Sequence, residues 1–224
     1  MLFNNFKKVN LGYFIKHNNL VPKFLFQDIS QNIGCPATKS LHNRLYEVKP
    51  LVSVTIEFYV NENDVPVYNY LFDTNKFRDS EEVYNLLDEI IVISNEKGKA
   101  ALQVLSYIHL VTDCKDLEIT QLEPTKKNYE NCEFVVGSFY PYEWIRMLNI
   151  SYIQKDKNKK SVIHLNIDEP AYRILTSRKV NFKQIPYTDK IKSYEENSFN
   201  IGKYYKNVKN VSKRLTQKRP KHLL

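Results

Sequence analysis

Residues 79–111, DSEEVYNLLDEIIVISNEKGKAALQVLSYIHLV, decide the fold, because they carry the longest apolar-rich run of the chain. Val83, Leu86, Leu87, Ile90 and Ile91 recur at helical spacing. Asp79 and Glu82 stand three apart, as in a capping box, and Glu81 adds negative charge near the positive end of a helix dipole. Gly98 interrupts, after which Ala101, Val104, Leu105, Ile108 and Val111 trace a second helical face that closes before the polar stretch 112–116. The spacing therefore predicts two central helices.

Upstream, LVSVTIEFYV (51–60) alternates Val52, Val54, Ile56, Phe58 and Val60 with Ser53, Thr55, Glu57 and Tyr59, the period of a half-buried strand. The polar residues 61–66 and the strand-like 67–72 complete a hairpin. Downstream, 117–122 and 132–140 read as strands. Residues 150–154 and 161–167 flank the loop KDKNKK (155–160), which predicts a second hairpin. Strands on both sides of a helical centre give an α+β module: a small, mostly antiparallel sheet with two central helices over 51–170, flanked by extended basic segments at 1–50 and 171–224.

The chain has 224 residues, and 42% of them are hydrophobic, enough to fill a core. Its net charge of +8 is segregated. Residues 1–50 carry seven basic and two acidic groups, 51–150 eight and seventeen, and 151–224 eighteen and six, for balances of +5, −9 and +12. An acidic middle between cationic ends points to polyanionic partners at the ends. Lys outnumbers Arg by 26 to 7, and Asn and Tyr are abundant, the bias of AT-rich codons, so lysine abundance alone identifies no binding face. No run reaches the roughly 18 to 20 apolar residues of a membrane-spanning helix, so no transmembrane segment is expected. The five glycines are scattered, which removes both common nucleotide-binding fingerprints.

Between Met1 and Gln27 there are four lysines and no acid, with Leu2, Phe3, Phe6, Val9, Tyr13 and Phe14 close to a helical period. Basic, acid-free and amphipathic describes a mitochondrial transit peptide; an uncleaved basic arm and ordinary core sequence are the other readings. Residues 28–50, with Gly34, Pro36 and Pro50, read as linker.

Catalytic chemistry finds little support. Cys35, Cys114 and Cys132 form no CxxC pair, and His109 with Cys114 and Cys132 makes at most a partial metal set, so neither metal nor cofactor is expected. Glu57 and Glu143 are isolated carboxylates, and no nucleophile motif accompanies any histidine. No catalytic residue is assigned. Phe139, Tyr140, Tyr142 and Trp144 around Pro141 suit a core, a protein interface or base stacking. The tail 201–224 carries Lys203, Lys206, Lys209, Lys213, Arg214, Lys218, Arg219 and Lys221 without an acid, and these are the candidate RNA-binding residues. Anionic lipid contact and simple solvation are the competing readings of the same charge.

This organisation resembles, in architecture, lineage-specific subunits of large mitochondrial assemblies. The resemblance implies a non-catalytic matrix protein, first a mitochondrial ribosomal protein meeting rRNA through its basic ends. An accessory subunit of a respiratory-chain or ATP synthase complex and a small matrix enzyme are the alternatives.

Overall fold

The computed structural model describes residues 8–15, 26–28, 41, 43–72, 80–143 and 145–193. In chain order the elements are β1 (Val9–Ile15), β2 (Phe26–Asp28), β3 (Leu45–Val48), β4 (Val54–Val60), β5 (Pro66–Leu71), α1 (Ser80–Ile90), β6 (Ile91–Glu96) and β7 (Lys99–Val111). They continue with β8 (Ile119–Leu122), β9 (Tyr129–Glu130), β10 (Cys132–Phe134), β11 (Gly137–Phe139), β12 (Arg146–Gln154), β13 (Ser161–Leu165), β14 (Tyr172–Thr176) and β15 (Val180–Gln184). Strand accounts for 53% of the described residues and helix for far less, so the architecture is mostly β and the expected α+β class is overturned.

The decisive error lies in residues 99–111. They form one thirteen-residue strand, β7, and not a second helix. Ala100, Leu102, Val104, Ile108 and Leu110 point into the main core, while His109 and Val111 are buried on the opposite face. A strand buried on both faces at one end is apolar at nearly every position there, and such a run also satisfies a helical template. Gly98 and Lys97 make the tight turn between β6 and β7. Both have positive φ, 79° and 56°, the requirement of a two-residue type I′ hairpin. The Oδ1 of Asn95 accepts the Gly98 N–H at 2.8 Å and holds that turn.

The first predicted helix is present as α1, with Val83, Leu86, Leu87 and Ile90 buried at helical spacing. Ile91 starts β6 instead of continuing it. The cap position Asp79 lies outside the described residues. The β4–β5 hairpin is as read: Val54, Ile56 and Phe58 are inward, each 2% exposed or less, and Val60 ↔ Pro66 closes the register. The 155–160 loop, by contrast, joins strands that do not pair. β12 lies in a six-stranded sheet ordered β10-β12-β7-β1-β15 with β6 also on β7, whereas β13 lies in a four-stranded sheet ordered β5-β4-β13-β9. Residues 132–140 also split, giving β10 to the six-stranded sheet and β11 to a five-stranded one ordered β11-β8-β14-β3-β2.

Residues 9–15 are a central strand and not part of an amphipathic helix. β1 pairs with β15 in parallel and with β7 antiparallel, and Leu11, Phe14 and Ile15 are buried. Within the stretch read as linker, β3 pairs with both β14 and β2, and Leu45, Tyr46 and Val48 are buried. The sheets thus draw strands from both sides of 51–170. No described helix is long and apolar enough to cross a membrane.

Candidate functional site

The eight tail cations, Lys203 to Lys221, and Trp144 lie outside the described residues. Cys35 lies outside them too, and the remaining residues singled out in the sequence disperse. Phe139 is buried in the main core, Tyr140 is exposed, and Tyr142 sits under the Lys115 ammonium at 5.7 Å. Glu57 pairs with Lys160 at 3.1 Å on the exposed face of β4. His109 is wholly buried on β7, not half-buried on a helix, and its ring stacks on Phe14 with centroids 4.7 Å apart and planes within 3°.

Cys114 and Cys132 occupy different surroundings. The Cys114 thiol donates to Asp116 Oδ1 at 3.0 Å, which lowers the carboxyl pKa, and Arg178 on the same carboxylate adds to the effect. Cys132 is buried against Tyr152 and Phe134, and burial pushes its thiol up to about 12, far from a nucleophile's range. Among the described residues, no three His, Cys, Asp or Glu side chains come together in a way that could hold a metal ion.

The structure instead presents a surface that sequence reasoning missed. β6, β7, β12 and β10 lie side by side, and alternate residues point away from the main core. Two rungs cross this outer face. Ser94, Ala101, Ile153 and Glu133 stand in register in one, and Val92, Gln103 and Ser151 in the next. The backbone N–H of Val135 donates to the Ser151 carbonyl at 2.8 Å and extends the second rung. Val92, Val135 and Ile153 are 45%, 41% and 36% exposed, so the four-stranded face presents open aliphatic side chains around the polar pair Gln103 and Ser151. A groove of about 620 Å³ runs over it. Gln103 Nε2 donates to Ser151 Oγ at 3.3 Å within its floor, and Lys97 and Lys99 stand at its end beside Glu96.

The other half of the same face is covered. Beyond a bulge where Tyr107 takes φ 53°, the outward residues His109 and Val111 meet Phe14 and Ile145. Ile185 and the buried Ile191, the latter in a helical turn at 189–193, close over them, and Tyr187 stacks on Phe14 at 5.0 Å. Residues 185–193 therefore seal one half and, among the described residues, leave the other uncovered.

At the open end three turns meet. Asn95 Nδ2 donates to the Asp64 carbonyl at 2.7 Å, tying the β4–β5 turn to the β6–β7 turn. Asn131, with φ 50°, donates through Nδ2 to the carbonyls of Asp156 and Lys159 at 3.0 and 2.8 Å, fixing the lysine loop against the β9–β10 junction. Lys155, Lys159 and Lys160 are paired with Glu133, Asp156 and Glu57 at 3.6, 4.0 and 3.1 Å, so three of the four lysines of KDKNKK have a carboxylate partner. Among the described residues, Lys97 and Lys99 have no ion-pair partner within 4.0 Å.

Comparison with known protein families, curated proteins and solved structures finds no match. The site consequently rests on its own geometry. The signal that could have revealed the open face was the turn at Lys97–Gly98: once β6 and β7 are a hairpin, Val92, Ser94, Ala101 and Gln103 fall on one side of it.

Proposed function

We propose that this protein is a non-catalytic structural subunit of a large mitochondrial assembly, a mitochondrial ribosomal protein in the matrix whose basic tail binds rRNA. The observation that carries the reading is charge segregation: eight cations and no acid within residues 201–224, joined to a chain whose middle section, 51–150, has a balance of −9. Such a tail neutralises phosphates, and the acidic section is repelled by them and faces protein.

The acidic balance of 51–150 also favours a second reading, an accessory subunit of a respiratory or ATP synthase complex with the tail on protein or lipid headgroups. Salt titration of binding to structured RNA separates the two. With the full chain, log affinity against log salt falls by about 0.7 to 0.9 per phosphate neutralised, and deleting 201–224 flattens that slope. A tail that binds cardiolipin vesicles in preference to RNA overturns the ribosomal reading.

A further inference from the structure

We propose that the open half of the outer sheet face, between β6 and β10, docks an amphipathic, acidic helix of a partner protein. The floor supplies aliphatic contact through Val92, Ala101, Val135 and Ile153, with Gln103 and Ser151 between them. Among the described residues that line it, none presents an exposed aromatic ring. Open four-stranded faces that bind single-stranded RNA depend on rings to stack bases, so this floor suits aliphatic side chains and not nucleobases.

The dimensions fit one helix. Four strands at about 4.8 Å spacing give a face about 15 Å across, against a helix diameter of about 10–12 Å. The five residues from Val92 to Glu96 span about 13 Å along the strand, matched by a helix of two to three turns.

Charge sets the chemistry of the occupant. Among the described residues, Lys97 and Lys99 stand at the groove end without an ion-pair partner within 4.0 Å, beside the single carboxylate of Glu96. Glu133 at the far side is already engaged by Lys155. An acidic residue flanking the aliphatic stripe of the incoming helix completes the electrostatics. Continuity with the adjoining half gives the precedent. There this chain's own turn at 189–193 buries Ile191 on the same face, against Phe14 and Val111.

The test uses the full chain in its native assembly, with a photocrosslinking benzoylphenylalanine replacing Ile153 and the adduct sequenced by mass spectrometry. The expected adduct is a segment of another protein with aliphatic residues at i, i+3 and i+4 and acidic residues on one flank. Reversing both charges, Lys97→Glu with Lys99→Glu, lowers the adduct yield about fivefold, as expected for two solvent-exposed ion pairs. The milder pair Lys97→Gln with Lys99→Gln, which keeps the turn polar, lowers it about twofold. Crosslinks to RNA, to lipid, to a second copy or to this chain's own residues overturn the proposal, as do no adduct and a yield indifferent to the lysines. The docking claim does not rest on RNA anchoring: RNase digestion before illumination leaves this adduct in place even where it disperses the assembly.

Discussion

Leu102→Ala is the sharpest test of whether residues 99–111 form a strand, because strand and helix assign this side chain opposite environments. In β7, Leu102 is 1% exposed and lies in register between Tyr152 and Ile93, at the centre of the main core. Removing its three outer carbons forfeits about 2.4 kcal/mol of transfer free energy, at about 0.8 kcal/mol per buried methylene. The cavity left among Tyr152 and its neighbours adds to that, so the expected loss is about 3 kcal/mol, within the range of buried Leu→Ala changes. For a chain of this length the loss lowers Tm by about 6 to 12 °C. Gln103→Ala, on the open face one residue away, costs under about 0.5 kcal/mol. Urea denaturation followed by far-UV circular dichroism reads both. A helix with Ala101, Val104, Leu105 and Ile108 on its buried face predicts the reverse, with Leu105→Ala severe and Leu102→Ala mild. That outcome would refute the strand assignment.

The tyrosines give a pH prediction. Burial pushes Tyr70 and Tyr107 up to about 12, with the Asp88 and Glu89 carboxylates adding to it, and burial raises Tyr129, Tyr152 and Tyr172 further. The unfolded chain releases these protons near pH 10, so stability is full below pH 10 and falls as pH rises above it; absorbance at 295 nm titrating as a single step near pH 10 while the circular dichroism stays native would contradict this. At Asn131, Asn131→Ala loses the bonds to Asp156 and Lys159 and strains a backbone at φ 50°, whereas Asn131→Gly loses only the bonds. Alanine is therefore expected to cost about 1 kcal/mol more than glycine, and equal midpoints in denaturant would show that the left-handed backbone is not under strain.

Local pattern reached the elements whose partners lie nearby. The nine alternating residues of 52–60 revealed β4 and its inward face, and Val83 to Ile90 revealed α1, because each buries only one side. It failed where burial is two-sided or pairing is remote. The apolar run 100–111 serves two cores through His109 and Val111 on one face and Ile108 and Leu110 on the other, which blurs the period of two. β1 is fixed by parallel pairing of Val9 with Val180, a contact that no local window contains, so its apolar positions were read on a helical period. The split of 132–140 between two sheets falls after Val135, whose N–H still bonds to Ser151 of β12, before Gly137 to Phe139 pair with β8. The tail's charge was legible directly; the open face was not, because it exists only when β6 and β7 are strands.

The proposed role is tested most directly by sedimentation of the tagged full chain from mitochondrial extracts of its own cells. The account predicts co-sedimentation with ribosomal particles, a shift to light fractions after RNase, and the same shift when residues 201–224 are deleted. A protein that stays at the top of the gradient, or that sediments in a detergent-solubilised complex indifferent to RNase and to loss of the tail, would contradict it.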